Sequence, residues 1–197
     1  MIRLKTVIAV VLAAVFSMST VVPVSAARIY NPDTNTWENP SAVAARSRRG
    51  SPIKREVVEY AGKYKAGTII VETSERRLYL VLPEGKAIKY GIGVGRDGFR
   101  WSGQHRITRT AEWPGWTPPA QMRKRVPDLP AYMPGGPNNP LGARALYIGS
   151  TLYRIHGTSE PWTIGQAVSS GCIRLTNEDV IDLYERVRVG ALVVVRQ

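Results

Sequence analysis

From Gly67 to Val195 apolar residues alternate with polar ones in a series of short runs. Alternation of this kind suits half-buried strands and not helices. Thr68–Glu72 and Leu78–Leu82 are two such runs, and Pro83-Glu84-Gly85 turns the second into Ala87–Val94 as a hairpin. Ile107–Ala111 is short and alternating. Leu146-Tyr147-Ile148 and Leu152–Ile155 flank Gly149-Ser150-Thr151 as another hairpin, and Ala191–Val195 reads as a last, buried strand. One helix stands out. Thr176 is a good N-cap, Asp179 follows three residues later, and Val180, Leu183, Tyr184 and Val187 fall on one face before Gly190 stops it. The expectation is a mainly β domain over residues 67–197, with a helix near its end and no internal repeats.

Two stretches break the pattern. Residues 113–144 are rich in Pro and Gly, with Trp113, Trp116 and Met133-Pro134-Gly135-Gly136-Pro137. A loop this long inside a compact domain is usually a lid or binding loop. Trp116, Met133 and Gly136 are therefore candidates to line a substrate cleft; the alternative is an Ω-loop packed on its own side chains. Residues 27–66 are expected to be a basic, Pro- and Ser-containing linker, since 27–55 lack apolar periodicity.

Before the linker, Arg3 and Lys5 lead an apolar run, Thr6–Phe16, and Val24-Ser25-Ala26 suits cleavage. Residues 1–26 thus read as a signal peptide, with an uncleaved inner-membrane anchor as the alternative. Export places the chain in a periplasm, or secreted. The net charge of +12 suits an anionic wall or membrane surface. Nucleic acid is the other partner such charge suggests, but no nucleic-acid-binding motif is present and export argues against it.

Cys172 is the sole cysteine, so no intrachain disulfide forms. It is either a buried inert thiol or a reactive one. Its neighbours favour the second. His156 ends a predicted strand, and Cys172 follows in a Gly-bearing turn just ahead of the helix. Thiol nucleophiles act as thiolates, and an imidazole can take the proton. The N–H groups of Ser170, Gly171 and Cys172 are candidates for an oxyanion hole. The carbonyl of Gly157 is a candidate to orient His156. Arg174 is either a structural cation or a holder of a substrate carboxylate. His105 reads as a packed or exposed strand residue. The chain lacks the acidic cluster a catalytic metal needs, so neither metal nor cofactor is expected. Gly91-Ile92-Gly93-Val94-Gly95 lacks the spacing and following helix of a dinucleotide loop.

His156-Gly157-Thr158 followed by Ser170-Gly171-Cys172-Ile173-Arg174-Leu175 resembles the catalytic signature of the L,D-transpeptidases, the YkuD-type domain of the ErfK/YbiS group. The resemblance runs from about Gly67 to Arg196 and takes in Trp116-Thr117-Pro118-Pro119 and Asn139–Leu146. It implies a single sandwich- or barrel-like β domain with a long lid loop and a helix after the catalytic Cys. It also implies Cys172 as nucleophile, His156 as general base and Gly157 as the orienting carbonyl. The implied reaction opens the diaminopimelate–D-Ala bond of a peptidoglycan tetrapeptide stem and passes the acyl group to an amine. That amine belongs to a second stem, a protein lysine such as one on an outer-membrane protein, or a free D-amino acid; water gives hydrolysis. Two departures stand out: Ser170 sits where many members have His, and Arg100-Trp101-Ser102-Gly103 replaces the usual turn. Alternatives are a cysteine peptidase trimming wall peptides and a non-catalytic basic module binding wall polymer. A monomer is expected.

Overall fold

The alternating runs pair into one curled sheet. The computed structural model describes residues 28–197, and the signal-peptide expectation for residues 1–26 lies outside them. In chain order the strands are β1 (Ile29–Asn31), β2 (Thr36–Glu38), β3 (Glu56–Glu59), β4 (Ile69–Glu72), β5 (Arg77–Val81), β6 (Lys86–Gly91), β7 (Val94–Gly95), β8 (Gly103–Glu112), β9 (Arg144–Ile148), β10 (Arg154–His156), β11 (Ala167–Ser169), β12 (Ile173–Arg174) and β13 (Leu192–Arg196). The helices are α1 (Pro40–Ser47), α2 (Ala120–Arg125) and α3 (Asn177–Arg186).

Nine strands form one sheet in the order β12-β10-β9-β8-β13-β4-β5-β6-β3. Successive side chains on a strand point to opposite faces. Ile69 and Val71, Leu78 and Leu80, Leu146 and Ile148, and Val193 and Val195 therefore enter one buried cluster together. Each such side chain contributes about 1.5–3 kcal/mol relative to exposure. The sheet then curls on itself. Gly93, just beyond β6, exchanges two 2.9 Å backbone hydrogen bonds with Arg174 of β12. The β12 edge is thereby paired with chain that leaves the far side of the sheet, which satisfies groups an open edge would leave bare. The Gly91–Gly95 run is part of this closure and not a phosphate loop.

The α3 helix lies against the same core through Val180 and Leu183, both fully buried. The Thr176 hydroxyl accepts a 3.0 Å hydrogen bond from the Asp179 N–H and caps the helix. Thr176→Ala is expected to cost about 1 kcal/mol, read as a lowered urea midpoint at unchanged slope.

The segment 27–66 is not the unstructured linker expected from its composition. It contains the β1–β2 hairpin, α1, capped by the Asn39 side chain, and β3, which pairs with β6. Its few apolar residues find partners far along the chain. Tyr30, 1% exposed, packs with Trp116, Met122, Val126, Leu129 and Leu141 in a second cluster, with Trp37 and Met133 at its margin. The loop 113–144 is therefore folded around its own hydrophobic centre, and the N-terminal hairpin completes that centre.

Candidate active site

The site grows from the parallel pairing of β10 with β12, in which Ile155 faces Ile173 and His156 faces Arg174. Ile155 and Ile173 both point into the main core. By alternation Arg154, His156 and Arg174 project from the opposite face. Cys172 lies immediately before β12, in step with Arg174. Two short strands thus pair His156 with Arg174 and bring Cys172, two residues before Arg174, to the same face.

The turn bearing Cys172 is held from several directions. The Ser169 hydroxyl donates to the Cys172 carbonyl at 2.6 Å and accepts from the Gly171 N–H at 3.2 Å. Gly171 has φ +105°, a backbone conformation that favours glycine. A Cβ there would lie 2.4 Å from the Tyr153 ring. Trp101 stacks on Tyr153, with centroids 4.5 Å apart and planes 3° apart, and donates its indole N–H to the Gly171 carbonyl at 2.8 Å. Cys172 itself is half-buried. Burial pushes its thiol above the ordinary range, and Arg154, then Arg174, pull against that rise.

His156 is 5% exposed, and its Nδ1 lies 2.6 Å from the Gly157 carbonyl oxygen. A carbonyl can only accept, so this contact assigns the hydrogen to Nδ1 and leaves the Nε2 lone pair free. Burial, then the Arg174 charge, lowers the imidazole to about 3, against the pull of the Gly157 and Leu141 backbone. Near neutral pH the ring is uncharged, the state a proton acceptor needs.

The other site expectations meet a different structure. Arg174 does not face solvent. Its side chain is 3% exposed, and it donates to Asp33 at 2.7 Å and to the Thr163 hydroxyl at 3.0 Å, with Glu160 at 3.6 Å. An incoming carboxylate would have to displace Asp33. Trp116 is 6% exposed, stacks on Tyr30 and exchanges two 2.8 Å backbone hydrogen bonds with Met133. Trp116 is committed to the second hydrophobic centre, and Met133, half-buried, packs at its margin. Gly136 is half-buried in the same loop, and its carbonyl accepts from the Asn139 N–H at 3.0 Å. Among the three proposed oxyanion amides, that of Gly171 is already bonded to Ser169. His105 sits on β8 with its ring edge against Trp101, 5.6 Å between centroids.

Several participants escaped sequence reasoning. Ser169-x-Gly171 has the makings of a side-chain-braced turn. Arg154 lies two residues before His156, on the same face of a strand, a relation that period two alone provides. Asp33, Glu160 and Asn31 carry no local signal. They meet only in the fold, where the Asn31 amide donates to Glu160 at 2.6 Å and to Glu38 at 2.7 Å.

Residues 66–195 match the family model for the L,D-transpeptidase catalytic domain, YkuD. The probable L,D-transpeptidase ErfK/SrfK of Escherichia coli K12 is 43% identical over 133 residues, 64% of this chain and 42% of the relative. The chain thus spans less than half the length of that curated relative. A crystal structure from Brucella melitensis, described as a probable carnitine operon oxidoreductase, is 42% identical with a TM-score of 0.51, covering 75% of this chain and 96% of that one. L,D-transpeptidase 3 of Mycobacterium tuberculosis, in complex with a faropenem-derived adduct, is 14% identical with a TM-score of 0.50 over 81% of this chain and 86% of the other, and shares the fold. On the strength of the family match over most of its length, the chain belongs to the L,D-transpeptidase catalytic-domain family.

Proposed function

We propose that this protein is an exported wall enzyme whose Cys172 opens the diaminopimelate–D-Ala bond of a peptidoglycan tetrapeptide stem. The observation that carries the reading is the pairing of β10 with β12. The reading is supported by a register that carries the half-buried Cys172 and His156, whose Nδ1 is tied to the Gly157 carbonyl, on one face of adjacent strands. As the Cys172 sulfur attacks the diaminopimelate carbonyl carbon, Nε2 of His156 takes the thiol proton. The bond to D-alanine breaks, the proton passes to its departing nitrogen, and a thioester remains on Cys172. An acceptor amine then attacks the thioester, gives a proton to His156, and restores the thiol. In this reading the backbone N–H groups of Ser170 and Cys172 receive the oxyanion, while the Gly171 N–H braces the turn.

The resting pair is a thiol and a neutral imidazole, not a preformed ion pair. A strongly depressed imidazole is a weak base at rest and a strong acid once protonated, which favours prompt delivery of the proton to the leaving amine. The net positive charge fits an anionic wall, and an N-terminal sequence that reads as an export signal supports a periplasmic location. Among the described residues no helix is long and apolar enough to cross a membrane.

The reading is tested by incubating the mature protein with a purified disaccharide-tetrapeptide and following its intact mass. A thioester adduct on the wild type, absent from Cys172→Ala and accompanied by free D-alanine, is the expected result. The next product then names the acceptor: a cross-linked stem, a lysine conjugate, an exchanged D-amino acid or a trimmed tripeptide. A folded protein with a titratable thiol and no adduct overturns the proposal in favour of a binding role.

A further inference from the structure

Arg154 stands on the functional face with no task in the mechanism above. It lies two residues before His156 on β10, so both side chains leave the strand on the same side. Extending the β10–β12 register back by one residue sets Arg154 opposite Cys172. The backbone agrees. The Leu175 N–H donates to the His156 carbonyl at 2.9 Å, so His156 turns its peptide groups toward β12. Two residues earlier, Arg154 turns its own N–H toward the same neighbour, where the chain bends at Cys172. The guanidinium is held in place from behind. It lies over the Tyr147 ring, 5.3 Å from the centroid, and Arg109 covers the same ring at 3.6 Å. The Arg154 Nε is buried and has no hydrogen-bond partner. A buried, unpartnered guanidinium N–H beside a thiol is a costly arrangement unless an anion appears there during the reaction cycle.

We propose that Arg154 is a catalytic residue that stabilises the Cys172 thiolate, donating to the sulfur as negative charge develops on attack and again when the thioester is cleaved. The proposal rests on Cys172 being the nucleophile. In attack the proton leaves sulfur for His156, and Arg154 supplies the fixed positive charge that the neutral imidazole does not carry at rest. In deacylation the sulfur departs with the bonding electron pair, and the same N–H groups receive it before it is reprotonated by His156. The charged and titratable groups facing Cys172 are Arg154 and His156 from β10 and Arg174 from β12. Arg174 spends both terminal nitrogens on Asp33 and Thr163, and its one unpartnered nitrogen, Nε, lies on the side of Gly93, whereas Arg154 lies opposite Cys172 in the β10–β12 register. Arg154 also ranks ahead of Arg174 among the groups that pull the thiol down.

The test needs no stem peptide. Iodoacetamide labelling of the mature wild type, Arg154→Lys, Arg154→Met and Arg154→Ala is followed by intact mass from pH 5 to 10, with a thermal melt for each. Loss of a cation at contact distance moves a thiol by about one unit or more, so the methionine and alanine variants are expected to label about tenfold more slowly near neutral pH. Their labelling midpoint shifts upward, and the lysine variant stays close to wild type. Methionine keeps an apolar stem against Tyr147, so a shift in both variants at near-native melting temperature reports charge and not packing. If either variant folds and keeps the wild-type midpoint, the assignment is overturned. A normal shift without any acyl-enzyme on tetrapeptide would retain Arg154 and sink the transpeptidase reading instead. An acyl-enzyme with an unmoved midpoint would do the reverse.

Discussion

Arg174→Ala is expected to lower the melting temperature by roughly 10 °C, because deleting one partner of a buried ion pair costs about 3–5 kcal/mol and each kcal/mol shifts a domain of this size by roughly 2–4 °C. The cost comes from what is left behind. Asp33 and Glu160, 13% and 5% exposed, would face each other without their shared cation. Lysine is a poor substitute, since one ammonium does not reproduce a fork that reaches Asp33 with one nitrogen and Thr163 with another. The deficit should depend on pH. Burial, then Asp33, raises Glu160 from 4.5 to about 7 in the folded protein. A carboxyl raised on folding adds stability below its unfolded value and loses it as pH climbs through the folded one. The wild type therefore loses stability from about pH 4.5 to 7. Removing Arg174 takes away the main opposing charge and raises Glu160 further, so both proteins lose this stability in parallel up to about pH 7 and the gap between them widens only above it. Thermal melts at pH 6 and 8.5 check both statements. An unchanged melting temperature with a raised KM for tetrapeptide would return Arg174 to substrate capture.

That arginine also shows where sequence reasoning stops. The strands of the main core were legible because each carries its own alternation, as in Leu78–Leu82, and α3 because Thr176 and the apolar face of Val180 and Leu183 sit within a few residues of one another. Cys172 and His156 drew attention as the one thiol and a histidine at a strand end. What escaped has no local period. Tyr30 and Trp37 are isolated aromatics in a polar stretch, and their burial depends on Trp116 and Leu141, about eighty residues away or more. Asp33 meets Arg174 across 141 positions. A polar segment with scattered aromatics satisfies the composition of a linker while folding against a surface that only the finished domain presents. For the same reason Trp116 reads as a cleft residue in sequence: exposure in a Pro- and Gly-rich loop is the default expectation until a distant partner, here Tyr30, covers it.

His156→Ala is expected to keep the fold and reduce acylation by about a thousandfold, within the 10²–10⁴ range typical of a positioned acid–base group. Its shape against pH is the sharper readout. In the wild type the imidazole, depressed to about 3, stays neutral through the working range, while burial holds the thiol above its usual range. Neither group changes state between pH 5 and 8, so acylation should be nearly flat there, the imidazole removing the proton as attack occurs. Without His156 the reaction must wait for thiolate formed by solvent. The residual rate should then climb about tenfold per pH unit across the same interval. His156→Gln is the partner variant, since its amide can still donate toward the Gly157 carbonyl and spare that group an unsatisfied burial. Both variants should show the same slope and differ mainly in melting temperature. A wild type whose rate rises steeply from pH 5 to 8, parallel to the alanine variant, would mean that His156 does not take the thiol proton. The neutral pair set up by β10 and β12 would then have to be replaced by a thiolate held by Arg154 alone.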